Sequence, residues 1–164
     1  MNSQHLNEKK SHLGVDYFEK MHIIKNRKED EVAIMLIQFN FKNFRSFREE
    51  ATLDLSATKM TEFSERVVTI GREKILPVAA IYGANASGKS NIYSAFEYMA
   101  EYVVDSFKYG DEEEKFEEYR PTPFLFDSTS ADAESSFEVY FTIPGDKNEK
   151  TYNYGFCVDQ EGVT

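Results

Sequence analysis

Gly83, Gly88, Lys89 and Ser90 stand at the spacing Gly-x-x-x-x-Gly-Lys-Ser within "IYGANASGKSN", residues 81–91. That spacing is the pattern of a phosphate-binding loop, or P-loop. The chemistry on offer is recognition of a nucleoside triphosphate. Two glycines let the backbone curl close to phosphate oxygens, where a β-carbon would clash. Backbone N–H groups then converge on those oxygens, helped by the positive end of a following helix. Lys89 supplies a point charge to the β- and γ-phosphates, and the Ser90 hydroxyl is a Mg²⁺ ligand. At average residue usage, a chance match in a chain this long has a probability of roughly one in a hundred.

Such a loop needs a buried strand before it and a helix after it. Leu76–Tyr82, "LPVAAIY", does not alternate and is apolar on both sides, which predicts a central strand covered on both faces. Beyond the loop, Ile92, Ala95, Phe96, Met99, Val103 and Phe107 recur at steps of three and four. They predict an amphipathic helix of about five turns, starting near Lys89. Upstream, Met35, Ile37, Phe39 and Phe41 alternate with Leu36, Gln38, Asn40 and Lys42, a strand with one strongly apolar face. Ala51, Leu53 and Leu55 mark a second strand, "NFRSFRE" turns between the two, and Val67–Ile70 suggests a short third. Downstream, Phe137, Val139, Phe141 and Ile143 line one strand and Tyr152, Tyr154, Phe156 and Val158 line the next. The turn "PGDKNEK" between them predicts an antiparallel hairpin. The acidic run "GDEEEKFEE", residues 110–118, reads as a solvated loop.

Composition bounds the rest. The 164 residues suffice for one domain with one core, at 41% hydrophobic and 29% charged residues. Residues 1–34 hold six basic and six acidic side chains, so the net charge of −10 arises wholly from residues 35–164. That sign repels phosphate backbones and does not support a nucleic-acid partner. His5, His12 and His22 all lie in this first stretch, too far apart in sequence to suggest a metal site. Residues 1–34 read as a charged arm, dispensable for folding, with Met35 a candidate natural start. The lone Cys157 excludes an internal disulfide. No apolar run approaches the about 18 residues of a membrane span, and the N-terminus lacks a secretory core. The expected location is the cytoplasm.

From residue 35 onward the chain resembles the N-terminal lobe of ABC-type ATPases related to SMC, RecF and OLD proteins. The likeness is strongest to the bacterial "AAA, type fifteen" ATP-binding proteins, many of which sit in phage-defence or abortive-infection systems. Three stretches carry it: the opening strand running into "FKNFRSF" (41–47), the loop "YGANASGKSN", and "FEVYFTI…YNYGFCVD". The resemblance implies an α/β fold, a P-loop lobe with a mixed sheet, a loop helix and an antiparallel hairpin, and an ATP and Mg²⁺ site. Gly83 and Ala84 would open the loop, and Asn85, Ala86, Ser87, Gly88, Lys89, Ser90 and Asn91 would wrap the phosphates. It also implies that Arg45 and Ser46 lie near the nucleotide, although a surface arginine in a turn explains Arg45 equally well. Phe44 and Phe47 read as core. A homodimer of the full-length protein is the implied assembly.

Two motifs that such ATPases need are missing. No apolar strand ends in Asp-Glu, and no serine-glycine signature is present. Asp127, after "FLF", and Asp105, within the predicted helix, are poor substitutes for the catalytic carboxylate. The chain therefore reads as the first part, residues 35–164, of a longer ATPase that continues past Thr164. Two alternatives stand beside ATP hydrolysis. One is a non-hydrolysing, nucleotide-sensing interaction module. The other is a P-loop kinase or GTPase, which the lack of Asn-Lys-x-Asp and the single arginine, Arg120, beyond the loop helix disfavour.

Overall fold

The computed structural model describes residues 34–57, 64–109, 120–145 and 150–163, with only the backbone of 105–109. The arm, the acidic run and the tip of the hairpin fall outside these ranges. Six strands, two α-helices and a single 3-10 turn, Ser64–Arg66, form the described part: β1 Met35–Lys42, β2 Ala51–Asp54, β3 Val68–Ile70, β4 Glu73–Ile75, α1 Lys89–Tyr109, α2 Ser128–Ala131, β5 Ser135–Thr142 and β6 Thr151–Val158. β2, β1, β5 and β6 form one antiparallel sheet in that order, and β3 pairs with β4 in a small second sheet. The expected hairpin is present as β5 and β6, with Phe137 opposite Phe156 and Ser135 opposite Val158.

α1 packs on one face of the sheet. Phe39, Phe41 and Phe137 from the strands meet Ala95, Met99 and Tyr102 from the helix, all nearly inaccessible to solvent. Aromatic rings supply much of the fill: Tyr98 lies 5.0 Å from Phe137, Tyr102 stacks on Phe156 at 4.9 Å, and Phe96 meets Phe39 edge-on at 5.3 Å. Offset and edge-on ring pairs of this kind contribute beyond the area they bury. The buried helix face is therefore Ile92, Ala95, Tyr98, Met99 and Tyr102, rotated from the predicted stripe; Val103 is 43% exposed. The tyrosines win because their rings span the groove between helix and sheet, which a valine cannot reach.

β1 does not carry one apolar face. Its register against β5 shifts between Leu36 and Gln38. A bulge places an additional residue in one strand and re-aims its side chain. Ile37 accordingly joins Ile70 and Ile75 of the small sheet, with Met35 and Leu55 beside them, while Phe39 and Phe41 face α1. On the face away from α1, Asn40 donates to Glu138 at 3.0 Å, and Asn153 and Tyr140 donate to the same carboxylate at 2.8 and 3.1 Å. These three donors, Asn153 foremost, hold the Glu138 carboxyl below its ordinary range. Cys157, on β6 opposite Ser136, is half-buried, and its thiol is pushed up first by desolvation and then by nearby Glu134.

The predicted central strand over Leu76–Tyr82 is not there, and the described sheets are antiparallel rather than mixed. Residues 78–84 run as irregular backbone with their side chains in solvent: Val78 is 77% exposed and Tyr82 91%. A strand buried on both faces needs hydrogen-bonding neighbours and covering layers. Among the described residues β1 is already flanked by β2 and β5, and Pro77 has no N–H to offer.

Candidate functional site

The loop between Gly83 and Gly88 ends on the first turn of α1, a helix of 21 residues with no acidic side chain in that turn. The unpaired N–H groups of this end present partial positive charge to whatever approaches. Gly88 takes φ +88° and Ala86 φ +63°. The first suits glycine; the second is an uncommon conformation for alanine and marks a backbone held by its surroundings. A β-carbon on Gly83 would fall 2.7 Å from Ser87 Oγ, so a larger residue there would have to displace the Ser87 hydroxyl.

The lysine is anchored from below. Lys89 Nζ donates to the Gly83 carbonyl at 2.8 Å and to the Ala84 carbonyl at 2.5 Å. An ammonium carries three N–H bonds. Two are engaged by the loop itself, which leaves the charge and one donor at the loop's mouth. Residues 83–87 and Ser90 are exposed and Gly88, Lys89 and Asn91 half-buried, so the cradle is open to solvent. The predicted residues Gly83, Ala84, Asn85, Ala86, Ser87, Gly88, Lys89, Ser90 and Asn91 thus form one continuous turn onto a helix end.

A second segment reaches this turn from the β1–β2 connection. Asn91 Nδ2 donates to Ser46 Oγ at 2.7 Å. Ser46 Oγ also lies 2.7 Å from where a Gly88 β-carbon would sit, with a Phe47 ring carbon at 3.3 Å. Arg45 donates from Nη1 to Ser94 Oγ at 3.0 Å, along α1 rather than into the loop. Phe44 is buried and Phe47 packs edge-on against Phe41, so both belong to the core.

Asn43 is the residue that sequence reasoning missed. It is 3% exposed at φ +52°. Its Nδ2 donates to the carbonyls of Ser130, Ala133 and Glu134, and its Oδ1 accepts from the Phe124 N–H. The Ser135 hydroxyl donates to its main-chain carbonyl at 2.6 Å. These partners lie 81 to 92 residues away in the chain, so no local pattern could announce them.

The carboxylates near this region have other work. Asp127 caps α2, accepting from the Thr129 N–H and hydroxyl and from Ser130, and pairs with Arg48 at 3.2 Å. The Thr129 bonds hold its carboxyl below the usual range, with Ser130 and Arg48 adding to them. Asp105 is a backbone position on α1. No group of three or more His, Cys, Asp or Glu able to hold a metal occurs among the described residues, and the three histidines lie outside them. No helix among the described residues is long and apolar enough to cross a membrane.

A family model described as "AAA domain, putative AbiEii toxin, Type IV TA system" matches residues 78–163, a little over half of the chain. The chain belongs to this AAA-domain family. Membership makes it a P-loop ATPase-like domain of mixed α/β structure. Neither the curated proteins nor the solved structures contain a significant match. The AAA-domain match opens just before the loop and closes at the end of the β5–β6 hairpin. β1, β2 and the turn carrying Ser46 therefore lie outside the matched range, although that turn touches the loop.

Proposed function

We propose that this AAA domain binds ATP through Gly83–Asn91 acting as a Walker A loop, as the N-terminal part of an ATP-hydrolysing protein of the ABC-like SMC/RecF/OLD type. The observation that carries this reading is the ammonium of Lys89, fixed by the Gly83 and Ala84 carbonyls at the mouth of a glycine-lined turn on a helix N-terminus. Such a head group is pre-positioned for β- and γ-phosphates and loses little freedom when they arrive. The Ser90 hydroxyl would hold Mg²⁺, an ion that neutralises charge on the bound phosphates. Arg45, along the same helix, would complete the positive surroundings.

Asp127, the carboxylate nearest to a catalytic candidate in the sequence, is taken up by Thr129, Ser130 and Arg48 rather than left to orient water. Binding without that group stabilises the ground state and does not speed hydrolysis. Slow or absent turnover by the 164-residue chain follows, as does a need for further residues, supplied in a homodimer of the full-length protein. The same engagement of Asp127 favours a second reading, a module that senses ATP without cleaving it. A toxin–antitoxin setting agrees with the family's description; phage defence and a cytoplasmic location are part of the proposal. Calorimetric titration with MgATP tests the assignment: Lys89→Ala is expected to abolish binding, and equal affinity of the two proteins would refute it.

A further inference from the structure

The turn that joins β1 to β2 touches the loop from outside the family match, and its contact is specific. Ser46 Oγ sits 2.7 Å from the site of a would-be β-carbon on Gly88 and accepts from Asn91 Nδ2 at 2.7 Å. One hydroxyl thus holds the Asn91 side chain in the first turn of α1 and occupies the space beside Gly88. Gly88 is the residue whose peptide planes must stay oriented if the N–H groups of the loop are to converge on an anion. Glycine is also the residue freest to rotate away from that orientation.

The platform behind Ser46 is tied into the fold by backbone hydrogen bonds and core packing. Phe44 and Phe47 exchange backbone hydrogen bonds at 2.8 and 2.9 Å. The Arg45 N–H donates to the Thr122 carbonyl at 2.8 Å, which fixes the left-handed Arg45 at φ +50°. Below it, Asn43 is tied to residues 124–135, and the Phe44 ring is buried against Phe137. A hydroxyl mounted on such a turn is held by the core and not by the loop. It limits the loop instead.

We propose that Ser46 is a positioning residue for nucleotide binding, bracing Gly88 and Asn91 so that the phosphate-facing backbone is pre-formed. This rests on the reading of Gly83–Asn91 as an ATP site. Order imposed before binding is order the ligand does not have to impose, so the brace acts on affinity. Ser46 is itself exposed, so its removal leaves the core intact.

The test uses the 164-residue chain, a fluorescent ATP analogue with Mg²⁺, and the Gly88 amide resonance. Ser46→Ala is expected to raise Kd roughly five- to tenfold, the worth of one hydrogen bond, with an unchanged thermal midpoint and a broadened Gly88 signal. Ser46→Thr, which keeps the hydroxyl, should restore both. Asn91→Ala should weaken binding likewise, and the double variant no further than either single one, because both remove the same contact. Wild-type affinity in Ser46→Ala, while Lys89→Ala abolishes binding, overturns the brace alone. A Kd that rises only in step with a lowered thermal midpoint shows general destabilisation and overturns it too. Wild-type affinity in Lys89→Ala refutes the ATP site, and the brace with it.

Discussion

At the scale of single residues, Lys89 and Asn43 show opposite degrees of legibility. Lys89 could be read because its partners, Gly83 and Ala84, lie five and six positions away and recur at a spacing set by phosphate geometry. Asn43 could be read only as a turn residue. Its burial and its bonds to Phe124, Ser130, Ala133 and Glu134 arise from β1 and β5 pairing across almost the whole described chain. Ala at this position leaves the Phe124 N–H and several carbonyls without a partner in a dry setting and keeps the left-handed backbone. Asn43→Ala is therefore expected to lower unfolding free energy by about 2–4 kcal/mol. Urea denaturation measures this, and a change within about 0.5 kcal/mol, the range of ordinary surface substitutions, would remove Asn43 as the anchor of the turn.

Among elements, the existence of those with a strong period was legible, while the face they bury and the neighbour beside them were not. The β5–β6 hairpin follows from alternation on either side of a Pro-Gly turn, and α1 from recurring steps of three and four. The bulge at Ile37 was invisible, since alternation looks the same whether or not one residue is re-aimed. The β3–β4 pair was half seen: Glu73–Ile75 is too short to show a period. Leu76–Tyr82 has the composition of a buried strand but lies in solvent, because composition records what a segment can pack with and not whether a partner is beside it. This difference can be measured. Val78→Lys is expected to change the stability of this chain by less than about 0.5 kcal/mol, as for a surface site. A loss of several kcal/mol would restore the central strand. The loop's position was thus legible, but the support the turn at 43–47 gives it was not.

For the whole molecule, charge and exposed apolar surface pull in opposite directions. The chain carries −10, yet Val78, Tyr82, Val104, Leu125 and Phe126 all lie mostly in solvent. Large exposed apolar groups favour association, and like charge opposes it until salt screens the repulsion. Light scattering is expected to show a monomer in dilute buffer and growing association as salt is raised towards 1 M, where the screening length falls to about 3 Å. A mass independent of salt would show that these side chains do not form a sticky surface. The half-buried thiol on β6 adds a clock. The strand lies at the edge of its sheet, bridged beyond β5 at Val158 by Val163, and its cysteine is the chain's single one. Desolvation raises that thiol above its ordinary value and so lowers its thiolate fraction, while a frayed strand would expose an ordinary, faster-reacting thiol. Alkylation should therefore run well below the rate of a free cysteine and speed up in mild urea before the core melts. Each labelled molecule would mark one moment at which the edge of the sheet had let go.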